Sequence, residues 1–283
     1  MMKFYINIFI LLFLSTNVLS QDLSMNGHII KAKKSTEEYQ LYVSLPTTYN
    51  VEDNQRYPVL FLLDAYYSYP LVSSLHKLLE AGQEIEEIII VAIGDKNQSS
   101  STWYKNRMIN YTPSNDPNVD QEIAEGLGIS ISEVKTGKAN EFLQCIREDI
   151  IPFIDSTYKT TKDRGISGHS VAGLFTVYSF IYGYDLFNKY GINSPSLFWN
   201  NNEVIDKMEV FIKTNKSLEA DLFISYGALE PEIISSSVQS FLSVLNQHKN
   251  KRLSIKAKVF EEETHTSVVS TSLTRTLKVL YGK

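Results

Sequence analysis

The chain has 283 residues, 43% hydrophobic and 21% charged, with 13 Gly and 8 Pro. This is globular usage, too apolar and too varied for a disordered tail, a collagen or a low-complexity scaffold. With 27 basic against 32 acidic residues, nucleic acid and anionic membrane surfaces are disfavoured as partners.

Residues 1–20 stand apart: Lys3 is their one charge, Phe4 to Leu14 is almost wholly apolar, and Val18-Leu19-Ser20 precedes Gln21. The pattern predicts a secretory signal cleaved before Gln21, and therefore a secreted or periplasmic protein. A signal anchor is the alternative, but the apolar run is well short of the roughly 20 residues a span requires. No stable membrane insertion is expected after cleavage. The mature chain then carries 26 basic and 32 acidic residues, net −6, and is long enough for one large domain over 21–283. Cys145 is the single cysteine, so the core rather than a disulfide within the chain must hold an exported fold together.

In chain order, Glu37 to Leu45 alternates Tyr39, Leu41 and Val43 against Gln40, Tyr42 and Ser44, the period of a half-buried strand in an edge or antiparallel position, closed by Pro46. Tyr57 to Leu63 and Ile88 to Ile93 are nearly continuous apolar runs, as expected of central parallel strands covered on both faces. Asp95 to Gly137 is polar, with Pro and Asn, and reads as a long loop insertion of the functional or lid type. From Asn140 the pattern alternates: helix Glu141 to Tyr158, strand Gly165 to Ser167, helix Val171 to Tyr182, strand Lys189 to Asn193, helix Glu203 to Thr214. Strand Leu222 to Tyr226, helix Ile233 to Lys249, strand Leu253 to Phe260 and helix Ser267 to Leu280 complete it. With no repeat and no Gly/Ser linker, this predicts one α/β layered domain. Cys145 shares the apolar face of the first of these helices with Phe142, Leu143, Ile146 and Ile150, and reads as a buried, inert thiol.

Gly168-His169-Ser170-Val171-Ala172 puts a serine between a β-rich segment and an apolar helix, as a nucleophile elbow requires. The turn strains the serine, and small residues two positions either side let strand and helix pack closely. A serine hydroxyl needs a base, usually a histidine oriented by a carboxylate. Of five histidines, His28 precedes the first predicted strand, His76 sits on a polar-flanked helix, His248 ends a helix, and His169 adjoins the serine, where its side chain is expected to project differently. His265 follows the predicted strand Leu253 to Phe260 through Glu261-Glu262-Glu263, where the hydrolase order Ser, acid, His puts the base. The acid is expected after Leu222 to Gly227, with Glu230 chosen and Glu232 in reserve. The oxyanion donors are expected to be the backbone N–H groups of Val171 and Tyr66. There is no H-E-x-x-H, EF-hand loop or G-x-x-x-x-G-K-[ST], so no cofactor or metal is implied.

Tyr57-Pro58-Val59-Leu60-Phe61-Leu62-Leu63-Asp64-Ala65-Tyr66-Tyr67, Arg107 to Pro113, Gly168 to Gly173 and Ser194-Pro195-Ser196-Leu197-Phe198-Trp199 together resemble the esterase D-like family of α/β-hydrolases over about residues 36 to 282. The resemblance implies the α/β-hydrolase fold, a mostly parallel central sheet with helices on both faces, and a Ser170-His265-Glu230 serine esterase acting on a small-molecule ester. The siderophore-esterase branch is nearest, and its pocket arginine matches Arg107. Arg107 is thus a candidate substrate contact, against a surface charge paired with Glu141 or Asp116. Trp199, with Phe198, Tyr66 and Tyr67, is either core or an aromatic wall for substrate. The chain departs from the family pattern at Ala65 and Ala172, where Gly is usual, and at Asn110, where Asp is usual. If position 65 has φ > 0, its Cβ is strained. The predicted function is an exported serine ester hydrolase of siderophore type. The alternatives are a carbohydrate acetyl or feruloyl esterase and a catalytically silent binding protein of the same fold.

Overall fold

Runs such as Val59 to Leu63 have no polar side to give to water, so both faces of their strands must be covered. In the computed structural model, which describes residues 27–283 apart from 35–36, 98, 216 and 248–251, two layers of helices do this. The expected signal and His248 lie outside the described residues. The strands are β1 (Gly27–Lys31), β2 (Glu38–Ser44), β3 (Tyr57–Leu62), β4 (Ile89–Asp95), β5 (Thr160–His169), β6 (Lys189–Asn193), β7 (Ala220–Gly227) and β8 (Leu253–Phe260). They form one sheet in the order β1-β2-β4-β3-β5-β6-β7-β8. The β1/β2 and β2/β4 pairs are antiparallel and all others are parallel.

The helices are α1 (Ala65–Ala81), α2 (Ser100–Asn110), α3 (Pro117–Leu127), α4 (Ala139–Cys145), α5 (Ile151–Thr157), α6 (Val171–Tyr182), α7 (Glu203–Thr214), α8 (Glu232–Gln247) and α9 (Val268–Leu280). The strand period of two sorts the core into two layers. Leu60, Leu62, Ile90 and Ala92 pack against Tyr69 and Val72 of α1 and Leu273 and Leu277 of α9. Val59, Phe61 and Val91 belong to the opposite layer with Phe142, Phe175, Val204 and Phe241. This is the α/β layered arrangement expected from the alternating pattern, with the mostly parallel sheet and the helices on both faces that the resemblance to α/β-hydrolases implies.

Four local features differ from the sequence reading. Asp95 to Gly137 is not a loop: α2 starts at a Ser99 side-chain cap, and α3 has Asp116 as cap and Pro117 in its first turn. Buried Asp120 accepts from the Thr136 amide at 2.8 Å and from Asn115 at 2.6 Å, which knits the segment together. The helix expected over Glu141 to Tyr158 has a π-helical turn, Ile146–Ile150, between α4 and α5. His28 lies within β1, a five-residue strand whose sequence Gly-His-Ile-Ile-Lys has no polar–apolar alternation to mark it. His76 is buried, its Nδ1 3.0 Å from the Ser44 Oγ, which ties α1 to β2. Cys145 is buried, and burial, with Asp149 beside it, pushes its thiol up to about 12.

Phe175 of α6 is fully buried between the rings of Phe142 and Tyr111, whereas Leu78 of α1 is 68% exposed. Urea unfolding of Phe175→Ala is expected to show a loss of about 3–5 kcal/mol, and Leu78→Ala a change within about 0.5 kcal/mol. Asp95, at the end of β4, is pushed up to about 6 by burial, which outweighs the hydrogen bond from Asn106. Its charged form is therefore disfavoured in the fold, and that penalty is complete above pH 6 and fades as pH falls toward the ordinary carboxylate value. Asp95→Asn is expected to stabilise the protein more at pH 8 than at pH 4, and an equal effect at both would refute this.

Candidate active site

The strand-to-helix turn between β5 and α6 puts Ser170 at φ 63°, ψ −120°, outside the ordinary regions and worth about 1–3 kcal/mol of strain. Its surroundings hold it there. The Ser170 amide donates to the Asn193 carbonyl, and the Ser170 carbonyl accepts from the amides of Leu174 and Ser196, all at 3.0 Å. A Cβ on Gly168 would sit 2.4 Å from the Ala172 carbonyl oxygen and 2.7 Å from the Ala172 Cβ, and one on Gly173 would be 2.8 Å from the Asn193 oxygen. These contacts are why the elbow takes only small side chains around its serine. Ala172 fits without displacement as long as residue 168 is glycine. The Ser170 Oγ lies 3.3 Å from the Ser196 Oγ.

Glu230 follows β7, and His265 lies in the turn between β8 and α9. The amide of Ala228 donates to the Phe260 carbonyl at 2.8 Å and that of Leu229 to the Glu263 carbonyl at 3.0 Å, lacing the two loops together. Across this seam the His265 Nδ1 is 2.6 Å from the Glu230 Oε2. The other oxygen, Oε1, accepts from the Ser194 hydroxyl and the Gly227 amide, each at 2.6 Å. Glu230 is buried, and both of its oxygens are engaged. Glu232 opens α8 on the exposed side. The His169 ring, expected to project elsewhere, lies against that of His265 with centroids 4.5 Å apart, which brings the base beside the residue preceding Ser170. Burial, then the neighbouring His265 and the Arg107 guanidinium, hold His169 well below the usual imidazole range, so its ring is neutral.

Tyr66 and Val171 each stand in the first turn of a helix, where amides have no intrahelical acceptor and the dipole favours negative charge. In α1 the amides of Tyr67 and Ser68 already donate to the Asp64 carbonyl at 3.2 and 3.1 Å, and in α6 Leu174 is the first donor back to Ser170. The left-handed residue beside Tyr66 is Asp64, at φ 57°, and Ala65 is helical. The strain anticipated at Ala65 thus falls one residue earlier, on a residue type that tolerates this region.

Arg107, expected either at substrate or as a surface charge, is not a surface charge. It is 5% exposed, and its Nε and Nη2 donate to the two carboxylate oxygens of Asp64 at 3.0 Å each. Nη2 also donates to the His169 carbonyl at 3.2 Å. The Trp103 indole N–H donates to Asp64 at 2.8 Å and the Tyr67 hydroxyl at 3.2 Å. Burial would lower Arg107, but Asp64 outweighs it and holds the guanidinium above its ordinary value. Trp199, a candidate substrate wall, is 7% exposed and packs in the core, its N–H 3.3 Å from the Ser114 carbonyl. Tyr66, by contrast, is 38% exposed and stacked on Trp103 with centroids 5.5 Å apart. Among the described residues no group of three or more His, Cys, Asp or Glu could hold a metal ion.

Sequence reasoning missed the parts played by Asp64, Trp103, Ser194 and Ser196. Leu63-Asp64-Ala65 and Ser194-Pro195-Ser196 were visible as motif residues, but a motif does not tell which partner each side chain takes.

Known proteins similar to this chain include two curated esterases and a solved structure. It is 25% identical over 206 residues to the ferri-bacillibactin esterase BesA of Bacillus subtilis, covering 72% of this chain and 69% of that protein. It is 26% identical over 219 residues to the siderophore enterobactin esterase of Emericella nidulans, covering 74% and 71%. The crystal structure of the BES protein from Bacillus cereus superposes with a TM-score of 0.78 at 27% identity, covering 95% of this chain and all of that one. The family model described as Putative esterase matches residues 32–267, and the chain belongs to that esterase family.

Proposed function

We propose that this protein is an exported serine hydrolase that cleaves carboxylic esters of siderophore type through an acyl-enzyme. The observation that carries the mechanism is the 2.6 Å contact between Glu230 and His265 beside a strained serine elbow. With Nδ1 engaged by Glu230, Nε2 of His265 is the nitrogen that takes the Ser170 proton as Oγ attacks the ester carbonyl. The Tyr66 and Val171 amides stabilise the resulting oxyanion. His265 then returns the proton to the leaving alcohol. Water, deprotonated by the same imidazole, releases the acid and restores Ser170.

The siderophore reading is supported by the names of the two curated relatives and by the exposed Tyr66 ring stacked on Trp103, a flat surface suited to an aromatic acyl group. Arg107 adds nothing to it, because its charge is met by Asp64. Export is supported by the charge and apolar pattern of residues 1–20.

The test is hydrolysis of short-chain p-nitrophenyl esters by the protein from Gln21 onward. Ser170→Ala and His265→Ala are expected to lose about 10⁴-fold or more in kcat, and Glu230→Gln about 10³- to 10⁴-fold, with folding unchanged. Equal activity in all four proteins, or none in any of them, would overturn the mechanism. Among natural-type substrates, a cyclic catecholate lactone is expected to be opened and acetylated or feruloylated sugars to be left intact. The reverse preference would move the protein to the carbohydrate esterases.

A further inference from the structure

We infer that Arg107 is a positioning residue that fixes the spacing of the two oxyanion donors by tying the loop ahead of the Tyr66 amide to the elbow ahead of the Val171 amide. The inference rests on the esterase reading above. The β3/β5 ladder reaches as far as the Leu63 amide, which donates to the Ser167 carbonyl at 3.0 Å. Past that bond β3 leaves the sheet into Asp64 and α1, while β5 runs on beside β6 as far as His169 before α6 begins. Arg107 bridges them there, with a two-pronged contact to Asp64 at 3.0 Å and a third bond to the His169 carbonyl at 3.2 Å.

Tyr66 is two residues beyond Asp64, and Val171 is two residues beyond His169. A planar guanidinium has its donors in a fixed fork, so the bonds set direction as well as distance. Its ion-pair partner is the left-handed residue of the Tyr66 loop, so the same contact holds the backbone turn that aims this amide. The Trp103 ring lies 5.0 Å from the guanidinium, and its N–H shares the Asp64 carboxylate, which closes the assembly from the α2 side. On this reading the segment inserted between β4 and α4 contributes Arg107 and Trp103 to catalysis without either touching substrate.

The experiment compares kcat and KM for p-nitrophenyl acetate in the wild type, Arg107→Lys and Asp64→Asn, with thermal unfolding followed alongside. Lysine keeps the charge but cannot form the fork. Asparagine keeps the shape and accepts the left-handed backbone, so Asp64→Asn carries the test if Arg107→Lys does not fold. Loss of about 10²-fold in kcat with KM within about threefold is expected for a folded variant, as for a displaced oxyanion donor. A rise in KM with kcat retained would overturn the inference, since Arg107 would then be meeting substrate. So would unchanged kinetics in a folded variant. An inactive wild type would remove the esterase reading and this inference together, whereas an active wild type with either result above removes this inference alone.

Discussion

Ser170 can hold its unfavourable backbone conformation only because β5 and α6 approach closely on either side of it, and the rest of the site is arranged around that approach. The space between Gly168 and Ala172 has no room for a second Cβ. Gly173 packs in the same way against the Asn193 carbonyl, which also receives the Ser170 amide. The strain, about 1–3 kcal/mol, is supported by a core that covers both faces of the sheet. In return, the hydroxyl and the first amides of α6 are presented together at the carboxyl ends of the parallel strands.

Charge is managed in two different ways around this turn. Asp64 and Arg107 are both buried, but each meets the other and the remaining carboxylate valences are taken by Trp103 and Tyr67. Such a pair adds little net stability over an apolar substitute, but removal of one member leaves the other as an uncompensated buried charge worth about 3–5 kcal/mol. It therefore serves geometry more than stability. His169, between this pair and His265, is neutral because burial, with His265 and the Arg107 guanidinium alongside, opposes its protonation. A neutral ring packed against the base does not add a competing charge where His265 must gain and lose a proton.

Much of this was legible in the sequence where one local rule decided the outcome. The helix over Val171 to Tyr182 and the strands Lys189 to Asn193 and Leu253 to Phe260 were read with their observed bounds, because turn residues and apolar periods coincide there. Glu230 and His265, named from chain order, do meet. What failed were positions decided by tertiary partners. Asp95 to Gly137 read as loop because its helices are polar and short and lie among Asn and Pro, so the caps at Ser99 and Asp116 went unread. The surface pairing of Arg107 with Glu141 or Asp116 failed because nothing around Tyr111, Thr112 and Pro113 shows that Asp64, 43 residues earlier, is its partner. His76 read only as a residue of a polar-flanked helix, and nothing local showed its partner Ser44.

The most direct measurement of the nucleophile is the intact mass of the protein after reaction with diisopropyl fluorophosphate, followed by peptide mapping of the adduct. One diisopropylphosphoryl group on Ser170, formed slowly or not at all in His265→Ala, is the result expected of a serine activated by that histidine. An unmodified protein, or an adduct on another residue with Ser170 untouched, would contradict it.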